Sequence, residues 1–160
     1  MAQLPRDSRC THSGGCMARS TALVTGASRG IGAAIARGLA TDGMRLIGLH
    51  FGRDRAAAEQ VAAEVRAAGA VPVLLQHDLS GGADAAKELA AAWQAAVAEA
   101  GHHGTDVLVS NAGINAAAPL SALESAEYDR VIAINLTAPL FLIRELAPHF
   151  NENAAHRIRG

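Results

Sequence analysis

Thr25-Gly26-Ala27-Ser28-Arg29-Gly30-Ile31-Gly32 follows a short apolar run, Thr21 to Val24, and opens a segment with helical apolar periodicity. A pyrophosphate bound at a helix N-terminus must come close to main-chain N–H groups, and residues without a Cβ permit that approach. Gly26, Gly30 and Gly32 supply it, so the stretch reads as a dinucleotide-binding turn. Its spacing, Gly-x-x-x-Gly-x-Gly, departs from the Gly-x-Gly-x-x-Gly fingerprint. A tight strand-to-helix turn that binds nothing is the competing reading.

Outward from this turn, short apolar runs alternate with longer helical patterns, the order expected of βαβ units on a parallel sheet. The spacing predicts strands at 21–25, 44–51, 71–76 and 106–109. The first helix runs to Gly43, with Ile31, Ile35 and Leu39 on the face toward the sheet. A second occupies 55–68, with Ala58, Val61 and Val65 inward. A third, alanine-rich, occupies 83–100, where Leu89, Trp93 and Val97 make the buried stripe and Trp93 is a core residue. A long helix over 126–148 starts at Ser125 as N-cap and bends at Pro139, which lacks the N–H for the i−4 hydrogen bond.

Residues 1–18 mix Pro5, Ser8, Ser13, Gly14 and Gly15 without periodicity and read as a flexible tail, with Met17 as an alternative start. Cys10, His12 and Cys16 offer three metal ligands there. A zinc site needs a fourth partner and a supporting framework, so no metal site is expected. The domain then covers 19–150, and 151–160 is an irregular polar tail.

Thr-Gly-x-x-x-Gly-Ile-Gly resembles the cofactor signature of the short-chain dehydrogenase/reductase family, nearest the 3-oxoacyl-acyl-carrier-protein reductase type. Three further landmarks follow in the expected order: Asp78-Leu79, Asn111-Ala112-Gly113, and Asn135 in Ile134-Asn135-Leu136. The resemblance runs from about Thr21 to Pro148. It implies an α/β, Rossmann-like doubly wound parallel sheet of order 3-2-1-4, truncated after the fourth strand and its following helix. It also implies that Gly26, Ser28, Gly30, Ile31 and Gly32 line the pyrophosphate and that Asp78 and Leu79 meet the adenine. Asn111, Ala112 and Gly113 would border the ribose, with Ser110 where the family often has Asn, and Asn135 would be the catalytic asparagine that holds a relay water.

The second strand ends in His50-Phe51-Gly52-Arg53, with no carboxylate to bind a ribose 2′-hydroxyl. Arginine pairs with a 2′-phosphate, so Arg29 and Arg53 favour NADP(H) over NAD(H). Solvated surface cations are the plainer alternative for both. The family's catalytic Ser and Tyr-x-x-x-Lys pair lie beyond the last helix and are not among these residues. Tyr128, the sole tyrosine, has Ile132 four places later, and Lys87 is the only lysine. The resemblance therefore implies a reductase of carbonyl or acyl-thioester substrates, with this chain alone inactive. A non-catalytic dinucleotide-binding or interaction module, or an unstable truncation or frameshift product, are the alternatives.

With 160 residues, half of them hydrophobic, the chain can bury one core. A net charge of −1 without a Lys/Arg cluster argues against nucleic acid. No apolar segment is expected to approach the roughly 20 residues of a membrane span, and the N-terminus lacks a secretory signal pattern. The expected setting is cytoplasmic, with both cysteines reduced and a homo-oligomer formed, as the resemblance allows, through residues 126–148.

Overall fold

In the computed structural model, which describes residues 20–116 and 118–151, four strands pair in parallel: β1 (Thr21–Val24), β2 (Leu46–Phe51), β3 (Val71–Gln76) and β4 (Val107–Val109). Their order is β3-β2-β1-β4, as expected. Expectations about the tail, Cys10, His12 and Cys16, and everything after Asn151 lie outside the described residues. Every residue of β1 and β2 is buried, the condition of strands covered on both faces.

Alternation along β1 divides the core. Ala22 and Val24 point to one face, where α1 (Gly30–Thr41) and α2 (Arg55–Ala67) contribute Ala33, Ala36, Val61 and Val65. Leu23 points to the other, where α3 (Ala83–Glu99) and α5 (Ala138–Leu146) contribute Leu89, Trp93, Leu142 and Leu146. Trp93 is fully buried, as expected, and its ring occupies the place of a missing side chain in β2. A Cβ at Gly48 would lie 2.8 Å from the ring.

Three sequence expectations are corrected. The inner face of α1 is Gly32, Ala33, Ala36 and Ala40; Ile35 and Leu39 flank it, and Ile31 is 73% exposed. Small residues let the helix lie close to the sheet, and a bulky Ile31 does not fit that approach.

The long helix does not start on a Ser125 cap. Glu124 holds the cap position without a side-chain bond, and α4 (Ser125–Ile132) passes into a wider π turn, Ala133–Thr137, before α5. Pro139 follows that turn and has no N–H for the Asn135 carbonyl, so the irregularity is the extra residue of the π turn.

Finally, Ser125–His149 does reach membrane-spanning length, with 25 residues, and its most apolar 18-residue stretch has a mean hydropathy of 1.4. One face of it, Ile134, Ala138, Leu142 and Leu146, is buried in the cluster around Trp93, while Leu136, Leu140 and Ile143 on the same helical segment are exposed.

Among the described residues, every buried side-chain nitrogen and oxygen has a hydrogen-bond partner. Trp93 Nε1–H donates to Thr105 Oγ1 at 2.9 Å, and Thr21 Oγ1 donates to the Gly104 carbonyl at 2.6 Å. Burial pushes the Asp106 carboxyl up, but hydrogen bonds from Asn151 and from the Ser20 and Thr21 amides outweigh it and hold the group below the usual carboxylate range.

His50, 2% exposed near the end of β2, is lowered to about 4, first by burial and then by the neighbouring His77, against a raising bond to the His77 carbonyl. The folded imidazole is therefore neutral where the unfolded one is charged. Its stabilising share is complete above pH 6.5 and is lost as pH falls from 6.5 toward 4. Chemical denaturation of wild type and His50→Asn across this window checks it. Wild type should lose about 3 kcal/mol more than the variant between pH 7 and 4, and parallel pH profiles would refute the assignment.

Candidate functional site

A cleft of about 520 Å³ opens where the carboxyl ends of the strands meet, the ligand position of open α/β sheets. Gly26, Ser28 and Arg29 line it from the turn after β1, and His50 to Asp54 from the end of β2. His77, Asp78 and Leu79 close it beyond β3; Asn111 to Ile114 enter after β4, and Arg130 and Ile134 reach it from the last helical segment. Nine of the thirteen sequence-derived candidates thus meet in one place: Gly26, Ser28, Arg29, Arg53, Asp78, Leu79, Asn111, Ala112 and Gly113.

The other four stand behind it. Gly30, Ile31 and Gly32 form the first turn of α1, where Gly32 is buried and Ile31 faces solvent. Asn135 lies in the π turn, its Oδ1 accepting the Ile114 N–H at 2.9 Å and its Nδ2 donating to the Ile114 carbonyl at 2.7 Å. Both polar atoms of that side chain are engaged with the loop that carries Gly113.

The glycine turn is held from two sides. Asn111 Nδ2 donates to the Thr25 carbonyl at 2.9 Å and the Gly26 carbonyl at 3.2 Å, while Thr25 Oγ1 accepts the Asn111 and Ala112 amides at 2.9 and 3.0 Å. From β2, His50 Nδ1 accepts the Gly26 N–H at 3.2 Å. Gly26 has φ +66°, and a Cβ there would meet Ala112 Cα and Asn111 Nδ2 at 3.0 Å, so glycine is required on both grounds.

Charge in the cleft favours an anion at one end. No side chain caps α1 and its first turn holds no acid, so the helix N-terminus presents its amides unopposed. Arg29 and Arg53 are exposed, and among the described residues neither is in an ion pair. Asp54 also borders the cleft, but its Oδ1 accepts the Ala57 N–H at 3.0 Å as the cap of α2. At the far end, hydrogen bonds from Ser80 hold the Asp78 carboxyl below its ordinary range, with Arg53 and Arg130 adding to the effect.

Sequence reasoning missed His50, Asp54, His77, Ile114, Arg130 and Ile134. The signal for His50 and His77 was position: both stand where β2 and β3 end at the crevice. Arg130 and Ile134 share a helical segment with Asn135 and carry no motif of their own.

A family model for the short chain dehydrogenases matches residues 20–158. The short chain dehydrogenase/reductase AacuN of Aspergillus aculeatus is 36% identical over 137 residues, which are 86% of this chain and 49% of that protein. Among solved structures, a blue fluorescent protein from a metagenomic library, in complex with NADPH, superposes with a TM-score of 0.73 at 32% identity, over 83% of this chain and 52% of its own. A 3-oxoacyl (acyl-carrier-protein) reductase from Agrobacterium tumefaciens C58, with NADP bound, gives 0.69 at 38% identity, over 81% and 47%. The chain spans about half the length of these relatives. Four parallel strands in the order 3-2-1-4, a glycine turn at their carboxyl ends and a family match that covers all the described residues lead to one conclusion: the chain belongs to the short chain dehydrogenase family.

Proposed function

We propose that this chain forms the NADP(H)-binding portion of a carbonyl reductase, with a carbonyl or acyl-thioester compound as the substrate class. The observation that carries the reading is the pair of exposed arginines, Arg29 and Arg53, which form no ion pair among the described residues, beside a helix N-terminus whose first turn holds no acid. Similar structures crystallised with NADPH or NADP support it. In this reading the pyrophosphate lies against Gly26, Ser28 and the amides of Gly30, Ile31 and Gly32. Arg29 and Arg53 take the 2′-phosphate. Asp78 and Leu79 meet the adenine, and Asn111, Ala112 and Gly113 border the ribose. When bound, the cofactor supplies a hydride for a carbonyl carbon.

Asn135 is the one candidate for the chemical step: its two bonds to Ile114 hold the loop after Gly113 and leave one Nδ2 N–H and one Oδ1 lone pair for a relay water. An acid partner for the carbonyl oxygen is not available in these residues, because Tyr128 is followed by Ile132 where a paired lysine would stand. A second reading, a non-catalytic dinucleotide or interaction module, is favoured by the exposed Leu136, Leu140 and Ile143 on the last helix, which also suit self-association through residues 126–148. The buried stripe of that helix supports a globular, aqueous setting over a bilayer.

Thermal unfolding with each cofactor tests the reading. NADPH at a hundredfold excess over its dissociation constant should raise stability by about 2.7 kcal/mol, and NADH should do clearly less. Arg53→Glu should weaken NADPH by about tenfold or more and narrow the gap to NADH. An equal shift by both cofactors, or none, would overturn the assignment. The pure 160-residue chain is expected to show no NADPH oxidation with any ketone, and steady turnover would refute the inactive reading.

A further inference from the structure

The Gly26 main chain is the most constrained part of the turn and the least able to hold itself, since glycine at φ +66° has no side chain to restrict it. Its carbonyl is held by Asn111 Nδ2 at 3.2 Å. Its N–H goes to His50, a residue outside the family landmarks. We propose that His50 is a positioning residue of the cofactor cradle, a single buried ring that accepts the Gly26 N–H at Nδ1 and donates from Nε2 to the His77 carbonyl at 3.0 Å. The main chain of His50 adds a third tie, because its carbonyl accepts the Ala27 N–H at 2.8 Å. One residue of β2 thereby fixes two consecutive amides of the turn and links them to His77, the residue before Asp78 at the opposite side of the cleft.

Elementary donor and acceptor arithmetic sets the state of the ring. The Gly26 amide can only donate, so Nδ1 carries a lone pair; the His77 carbonyl can only accept, so Nε2 carries the proton. An imidazolium would aim an N–H at the Gly26 N–H. An apolar ring in a place 2% exposed would leave one amide and one carbonyl without partners. The buried neutral histidine is the form that satisfies both ends. His77 is the titratable group facing the ring, and Arg29, Arg53, Asp54, Asp78 and Arg130 are the charged groups of the same cleft.

This inference rests on the NADP(H) reading for its consequence, but its geometry can be tested alone. The full chain serves, with His50→Asn, whose Oδ1 replaces Nδ1 as acceptor, and His50→Gln, whose Nε2 replaces the donor nitrogen. Amide exchange at Gly26 without cofactor should be slow in wild type and Asn, and about tenfold faster in Gln. NADPH affinity, from a fluorescence titration, should stay within about threefold in Asn and fall about tenfold in Gln. If Gln protects Gly26 as well as Asn does, or binds NADPH equally, the proposal fails.

Nitrogen-15 spectra of the wild-type ring give an answer independent of any variant. A bare Nδ1 with a protonated Nε2 supports the arrangement, and the opposite tautomer overturns it. A wild-type chain that ignores NADPH sinks the cofactor reading, while exchange at Gly26 still decides the strut.

Discussion

A methyl group at position 32 would sit 2.3 Å from the Gly26 carbonyl oxygen and 2.5 Å from Asn111 Nδ2. No side chain can be accommodated where the turn, the first turn of α1 and the loop after β4 converge. That contact sets the distance between helix and sheet, and the remaining site geometry follows from it. Because α1 starts so close, Asn111 can reach the Thr25 and Gly26 carbonyls together, and Thr25 Oγ1 can receive two amides from the far loop. A glycine-rich loop left to itself would lose much conformational entropy on ordering. Here the cost is met by hydrogen bonds that come from β2 and from beyond β4.

The same closeness shapes the core. On the α1 and α2 face the buried helix residues are mainly small: Ala33, Ala36, Ala40 and Ala62 cluster with Ala22 and Val24. On the other face the solution is reversed, with Trp93 filling the space left by Gly48 and tied at its nitrogen to Thr105. Two glycines thus act in opposite ways. Gly32 admits the backbone of the helix, and Gly48 admits the largest side chain in the protein.

Much of this was legible from periodicity. The bounds of β3 match expectation residue for residue, and the stripe Leu89, Trp93, Val97 is buried as its spacing requires. The family landmarks also converge on one cleft. What periodicity could not convey was size. Ile31, Ile35 and Leu39 have the right repeat for an inward face, yet the contact at Gly32 selects the smaller residues one position on. Nor could a proline alone tell a bend from a π turn, since a missing N–H is compatible with either. His50 was hidden for a different reason. It sits in an otherwise apolar strand, and its two ring partners, Gly26 and His77, lie 24 and 27 residues away. Only the strand order brings them together.

The hydrogen bonds that form the cradle run among residues 25 to 27, 50, 77, 111 to 114 and 135. None of them uses the outer edge of β4, whose three residues are all half-buried while β1 and β2 are buried throughout. Beside that edge the chain after α5 returns parallel to it: Thr105 pairs with Phe150, and the Thr105 carbonyl accepts the Asn151 N–H at 3.1 Å. The fold therefore keeps the cradle apart from the β4 edge. On the proposed reading, cofactor geometry is set by the turn and the strand ends near the middle of the sheet, where the amides of Gly26, Ala27, Asn111 and Ala112 are all engaged. The β4 edge and the exposed side of the last helix, with Leu136, Leu140 and Ile143, are surface that the cradle's hydrogen bonds do not use. A change at that edge can leave the cradle in place, because the bonds that hold Gly26, Asn111 and Ile114 are made without it.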